Sequence, residues 1–148
     1  GNADPLDVQP LISYKEQGDI VEVAATQEVT SGRFVAPFDD HVLASCGDDC
    51  CVLFYDIRQP HSASKLRAHE KEVNTIQFHP QERYLFVTAS SDSTLALWDH
   101  RNLSAPLHVL RGHKAEIFSA SWNPTNKNLL ASSGVDRRVM LWDLSRVG

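Results

Sequence analysis

Two stretches decide how this chain folds: RAHEKEVNTIQFHPQERYLFVTASSDSTLALWDHR, from Arg67 to Arg101, and RGHKAEIFSASWNPTNKNLLASSGVDRRVMLWDLS, from Arg111 to Ser145. They overlie without a gap at an offset of 44 residues. His69 meets His113, Pro80 meets Pro124, Asp92 meets Asp136, and Trp98-Asp99 meets Trp142-Asp143. Self-similarity at a fixed period of this length marks a stack of repeated units, each burying its apolar faces against the next.

Inside each copy the apolar period is two, in short runs broken by turn residues, which is the pattern of strands. VNTIQF and IFSASW read as half-buried strands, YLFVTA and LLASS as fully buried ones. TLALW and RVMLW follow turns built on SSDS and GVDR, and KLRA and PLHVL supply a more polar strand before each His. Four strands in about 43 residues predict a propeller blade and not a helical solenoid. An earlier, more degenerate copy runs from Glu28 to Arg58, with Tyr55-Asp56 in place of Trp-Asp. One extra residue near Phe34 to Pro37 aligns its Glu28-Val29 with Glu72-Val73. GDIVEVAA and PLISYK, upstream, are strand-like in composition and are expected to close a preceding unit.

The chain therefore reads as one all-β domain over 1–148, with repeats at approximately 19–58, 64–101 and 107–145. Closure of a propeller takes four to eight blades. Three repeats fall short, so the chain is expected to be a segment of a longer ring or to be completed by neighbouring chains. A formal charge of -5, from 14 basic and 19 acidic residues, argues against a general phosphate-backbone binder. Arg137-Arg138 is the only adjacent basic pair, so direct nucleic-acid binding is not expected. No apolar run reaches the roughly 18 to 20 residues that span a bilayer, and GNADPLDVQP lacks the basic and apolar regions of a secretory signal. Cys46, Cys50 and Cys51 are odd in number and crowded together, which suits reduced packing thiols better than disulfides or a zinc site.

These residues carry a family resemblance. The chain resembles the WD-repeat proteins, with Gly112-His113 and Ala68-His69 at the GH position, Asp92 and Asp136 in the turns, and Trp98-Asp99 and Trp142-Asp143 at the WD position. The resemblance implies a buried hydrogen-bonded chain of His69, Thr88, Asp92 and Trp98, repeated as His113, Ser132, Asp136 and Trp142. Ala25, Ser45, Asp49 and Tyr55 fill those slots in the first copy, where the missing His leaves the network incomplete. A buried Trp N–H and a buried hydroxyl need partners, and a carboxylate and an imidazole supply them. Ser, His and Asp together invite a search for catalysis, but a set repeated in register is structural. With no glycine-rich phosphate loop, no non-repeating nucleophile and base, and no metal spacing, neither an enzyme nor a cofactor is expected.

A finer resemblance sits between about Ala68 and Gly148. KAEIFSASWNP, STLALWDHRNLSAPLHVL and NLLASSGVDRRVMLWDLSRVG are similar to the histone-binding WD-repeat proteins first known as retinoblastoma-binding proteins, the small subunit of chromatin assembly factors. That resemblance implies a seven-bladed propeller, a non-catalytic chaperone or scaffold role in chromatin complexes, and a nuclear location, with the cytoplasm also open. It further implies a top-face site where carboxylates and an aromatic ring receive Arg and Lys side chains of a histone tail or a similar basic motif. The positions that follow each His are Glu116 and Phe118, Glu72 and Asn74, and, in the first copy, Glu28 and Thr30. The residues alone agree, since an acid in the loop entering each inner strand would focus carboxylates around one opening and attract cations. The plainer alternative makes Glu72 and Glu116 solvated loop acids and Phe118 a blade-packing residue.

Another reading starts from Tyr55-Asp56-Ile57-Arg58 and Trp98-Asp99-His100-Arg101. Both fit the WDxR pattern, which resembles the docking motif of WD-repeat substrate receptors of cullin ubiquitin ligases, with Arg58 and Arg101 on the opposite face. An Arg at that position also commonly just pairs with a nearby acid.

Overall fold

The computed structural model describes residues 9–10, 20–25, 42–56, 58–59 and 63–146. They form three antiparallel sheets, each a meander of consecutive strands. The first holds β1 (Ile20–Ala25), β2 (Val42–Gly47), β3 (Cys51–Asp56) and β4 (Ala63–Arg67). β5 (Val73–Phe78), β6 (Leu85–Ser90), β7 (Thr94–Asp99) and β8 (His108–Arg111) make the second. β9 (Ile117–Trp122), β10 (Leu129–Gly134) and β11 (Val139–Asp143) make the third, followed by a single 3-10 turn at Leu144–Arg146. The sheets are shifted by one strand from the sequence repeats. The polar strands before each His, β4 and β8, pair with the last strand of the preceding copy, Cys51↔Arg67 and Thr94↔Arg111.

The tight hairpins explain why an Asp recurs in the turns. Cys50, Ser93 and Arg137 have φ of 69°, 70° and 64°, left-handed values that disfavour a side chain. In each case the preceding Asp accepts the backbone N–H two residues on: Cys51 to Asp49 at 3.2 Å, Thr94 to Asp92 at 2.9 Å, Arg138 to Asp136 at 3.2 Å. That Asx bond offsets the backbone cost.

Alternation then builds the core. On the second sheet Ile76, Phe78, Phe86, Ala96 and Trp98 pack against Ala44, Cys46, Val52 and Phe54 of the first. Their alternating neighbours Val87, Ala89, Leu95 and Leu97 pack against Ile117, Ala120, Trp122 and Leu130 of the third. The middle sheet is thus buried on both faces, which is why YLFVTA and TLALW read as continuous apolar runs. On the third sheet Val139 and Leu141 alternate with the partly buried Met140 and Trp142 and are 75% and 73% exposed.

The first copy corrects the expected register. Ile20 pairs with Gly47, Val73 with Ser90 and Ile117 with Gly134, each followed by an irregularity one residue on. GDIVEVAA therefore supplies the inner strand of the first sheet and does not close a preceding unit. Ala25 pairs with Leu43 at the far end of β1, so it does not stand in the His slot. Glu28 and Thr30 lie after β1 and outside the described residues, as does most of PLISYK. The misalignment has a plain cause: residues 26–41 separate β1 from β2, whereas 79–84 and 123–128 make the matching connections. An insertion between inner strand and next strand pushed the true counterpart upstream.

Candidate functional site

Two ends of the sheets carry chemistry, and strand direction separates them. Inner strands β5 and β9 run away from the end that holds Glu72, Glu116 and the Asp turns, toward the end that holds Asp99, Arg101 and the 79–84 loop.

Beneath the acidic end lies the hydrogen-bonded lock. In the second sheet the Trp98 indole N–H donates to Thr88 Oγ1 at 3.0 Å, Thr88 Oγ1 lies 2.7 Å from His69 Nε2, and His69 Nδ1 lies 3.0 Å from Asp92 Oδ2. Thr88 accepts from Trp98, so its own proton goes to Nε2, and the imidazole proton sits on Nδ1 facing Asp92. The third sheet repeats this with Trp142 to Ser132 at 2.9 Å, Ser132 to His113 at 2.7 Å and His113 to Asp136 at 2.9 Å. In the first sheet, among the described residues, Ser45 Oγ and Tyr55 Oη stand 2.9 Å apart at the hydroxyl and Trp positions of the relay. Asp49 there forms an ion pair with Lys65 at 3.7 Å. Burial lowers the His69 pKa against the opposing pull of Asp92. Burial pushes Asp92 up, but bonds from Thr94 together with His69 and Glu70 hold it below the usual carboxylate value. Thr88 and Ser132 are buried with their hydrogen-bonding capacity spent on His and Trp, so neither presents a nucleophile.

The candidate site residues of the acidic end fall into different environments. Glu72 and Glu116 are exposed at the entries to β5 and β9, and Phe118 is 53% exposed. Backbone bonds fix both acids: Ser91 N donates to the Glu72 carbonyl at 3.0 Å and Val135 N to the Glu116 carbonyl at 2.8 Å. Gly134 permits the second, because a Cβ there would stand 2.2 Å from the Glu116 oxygen. Asn74, at the position matching Phe118, is buried. Its amide donates to Ser91 Oγ at 3.0 Å and across the sheet boundary to the Ile117 carbonyl at 2.9 Å, while Ser91 Oγ reaches Glu72 Oε2 at 3.4 Å. Asn74 thus ties the setting of Glu72 to the strand that Glu116 enters. Glu28 and Thr30 lie outside the described residues, and an acid stands immediately before each of the inner strands β5 and β9, Glu72 and Glu116.

At the opposite end Arg58 and Arg101 each fork onto their own strand-end carboxylate. Arg58 reaches Asp56 at 2.9 and 2.7 Å and Arg101 reaches Asp99 at 3.0 and 2.7 Å. Arg101 also lies over the Tyr84 ring at 4.5 Å, and its hydrogen bonds hold Asp99 below the usual carboxylate value. Both guanidinium groups stay largely exposed.

One structural residue escaped the sequence reading. His79 is buried against Trp122, with ring centroids 4.5 Å apart. Its Nδ1 accepts from Gln81 N at 3.0 Å and Glu82 N at 2.8 Å, and Nε2 donates to the Lys127 carbonyl at 2.8 Å. It bolts the second sheet to the third. The signal was the pairing of His79-Pro80 with Asn123-Pro124, since Asn123 Oδ1 caps the same turn through Thr125 and Asn126. Of the cysteines, Cys46 and Cys51 are buried, and burial with Asp49 beside it pushes the Cys51 thiol up, away from its reactive thiolate.

Antiparallel meander sheets stacked face to face, the second and third pinned by a Trp, hydroxyl, His and Asp relay, define a segment of a β-propeller. The model for the WD domain, G-beta repeat, matches residues 61–99 and 104–143, and the chain belongs to that family. It is 46% identical over 72 residues to the WD-40 repeat-containing protein MSI3 of Arabidopsis thaliana, covering 49% of this chain and 17% of that protein. It is 37% identical over 88 residues to the RbAp48-related WD40 repeat-containing protein prw1 of Schizosaccharomyces pombe, covering 57% and 20%. Over 73 residues it is 33% identical to DDB1- and CUL4-associated factor 13 of Xenopus tropicalis, covering 49% and 16%. The chain thus spans at most a fifth of the length of these relatives.

Proposed function

We propose that this chain is part of a non-catalytic, histone-binding WD-repeat scaffold of chromatin assembly or modifying complexes, working in the nucleus, and that its acidic end receives Arg and Lys side chains of histone tails or similar basic peptides. The observation that carries this is the exposed acid before each of β5 and β9, Glu72 and Glu116, with the exposed Phe118 beside one of them. A carboxylate takes bidentate hydrogen bonds from a guanidinium, and a phenyl face adds roughly 0.5 to 2 kcal/mol through the cation. Similarity to MSI3 and to the RbAp48-related prw1 supports the same reading. In the protein, Glu116→Lys is expected to weaken binding of an Arg- and Lys-rich histone-tail peptide by well over tenfold while leaving the melting curve nearly unchanged. Equal affinities in a titration of the two proteins would sink the site.

A second reading concerns the opposite end. Arg58 and Arg101, held in one orientation by Asp56 and Asp99, fit the docking pattern of a cullin ligase substrate receptor, and the likeness to DDB1- and CUL4-associated factor 13 favours it. Under it, Arg58→Ala with Arg101→Ala abolishes pull-down of the ligase adaptor while histone-peptide binding persists. Adaptor capture that is absent from the wild type, or unchanged in the variant, removes this reading.

A further inference from the structure

A cleft of about 350 Å³ opens at the boundary between the second and third sheets, at the end that holds Asp99 and Arg101. Its floor is apolar. Leu85, at the start of β6, Leu97, near the end of β7, and Leu144, just after β11, line it and belong to the core between the two sheets, while Leu107 stands 52% exposed on the rim. The rim also carries charge, Arg83, Arg101 and Lys127 against Glu82 and Asp99. Both carboxylates are engaged, Asp99 by the fork of Arg101 and Glu82 by Lys127 across the boundary at 3.3 Å. One positive charge is left over. Arg83 presents it from the exposed 79–84 loop, lying over the Tyr84 ring at 5.3 Å, and a guanidinium stacked on a ring keeps its charge.

The fold makes such a cleft at each described boundary, and the side chains decide what it suits. Between the first and second sheets, Val42, Phe54, Asp56 and Ser64 hold by strand register the places that Leu85, Leu97, Asp99 and His108 hold here, and they line a cleft of about 380 Å³. His100, which corresponds to Leu144 at the repeat offset, presses edge-on against Phe54 there at 4.6 Å. The described lining of that cleft includes Asp56 but no Lys or Arg. The two clefts share a place in the fold and differ in the sign of their charge.

We propose that the cleft between the second and third sheets docks a short acidic peptide segment of a partner protein, which seats a leucine-sized side chain against Leu85, Leu97, Leu107 and Leu144 and sets a flanking carboxylate toward Arg83. A cleft at the small end of the roughly 300–1,000 Å³ range of ligand sites takes a side chain, not a folded surface. Apolar contact supplies affinity, and the charge of the rim selects an acidic segment over a basic one. This inference is independent of both functional readings above. It calls for a partner opposite in charge to a histone tail, and Arg83 is no part of the ligase docking pattern.

The test is fluorescence polarisation of a labelled peptide, Gly-Glu-Glu-Leu-Asp-Glu-Gly, titrated with the protein. Saturable binding is expected, weakened by about tenfold or more when glutamine and asparagine replace the acids, and by a similar factor when alanine replaces the leucine. Arg83→Glu, a change on an exposed side chain, is expected to cost about tenfold or more in affinity with the melting curve unchanged. Lys114→Glu makes the same charge change at the opposite end of β9, about 20 Å of strand away, and is expected to leave the affinity as it was. Absent saturation, indifference to the peptide's acids or to its leucine, unchanged affinity in Arg83→Glu, or an equal loss in Lys114→Glu would each overturn the proposal. The peptide comparisons use the wild type alone, so they decide the matter even where Arg83→Glu fails to fold.

Discussion

Replacing His79 with leucine should cost the protein about 3–5 kcal/mol, read as a lower urea midpoint at unchanged slope. The side chain is 1% exposed and spends both ring nitrogens, one on two backbone N–H groups of its own turn and one on the Lys127 carbonyl of the next sheet. Leucine fills the volume but strands these partners, and a buried polar group without a partner costs about 1–3 kcal/mol. His79→Asn separates the contributions. Asn123 shows that an amide oxygen caps this turn, so asparagine keeps the cap and loses only the bolt to Lys127, at about 1–2 kcal/mol. If leucine and asparagine cost the same, the turn is not what His79 holds; if neither costs anything, the bolt carries no energy.

Acid should loosen the protein in two stages. Burial holds His69, His79 and His100 below the usual histidine value, so in the native state all three stay neutral where the unfolded chain protonates them. Stability rises with pH wherever the unfolded state binds more protons. It is therefore complete above about pH 7 and falls as pH drops through about 6.5, the unfolded value. Three such groups give a slope of at most about 4 kcal/mol per pH unit. The second stage lies lower. Asp92, Asp99 and Asp136 are held below the ordinary carboxylate value, and their contribution, present at neutral pH, is lost as pH falls through about 4 and below. His100 packs edge-on against Phe54 at 4.6 Å, so the first stage should loosen the boundary between the first two sheets. A melting temperature that stays flat from pH 8 to pH 5 would contradict the burial of these imidazoles.

Much of this was legible because the repeat prints the same physics twice. A relay of Trp, hydroxyl, His and Asp can be recognised from spacing alone when two copies agree, and the period-two runs located the strands of the last two sheets. What misled was length. The sixteen residues between β1 and β2 broke the alignment, and Glu28 and Thr30 fall among them, outside the described residues. Asn74 has surroundings that the repeat does not spell out. It matches Phe118 in sequence, yet a neighbouring sheet lies against Asn74, and its amide satisfies the Ile117 carbonyl there. Which residues meet across a sheet boundary is a property of packing, and the repeat alone does not encode it.

The one-strand offset between repeat and sheet also sets an order of events in the cell. β4 and β8 close the sheets of the copies before them, so a growing chain cannot complete one sheet until the ribosome has made the opening strand of the next repeat. At about 5–20 residues per second, each of the first two sheets waits briefly with an open outer edge. Leu66 and Leu110, buried on those late strands, are the residues whose arrival ends the wait.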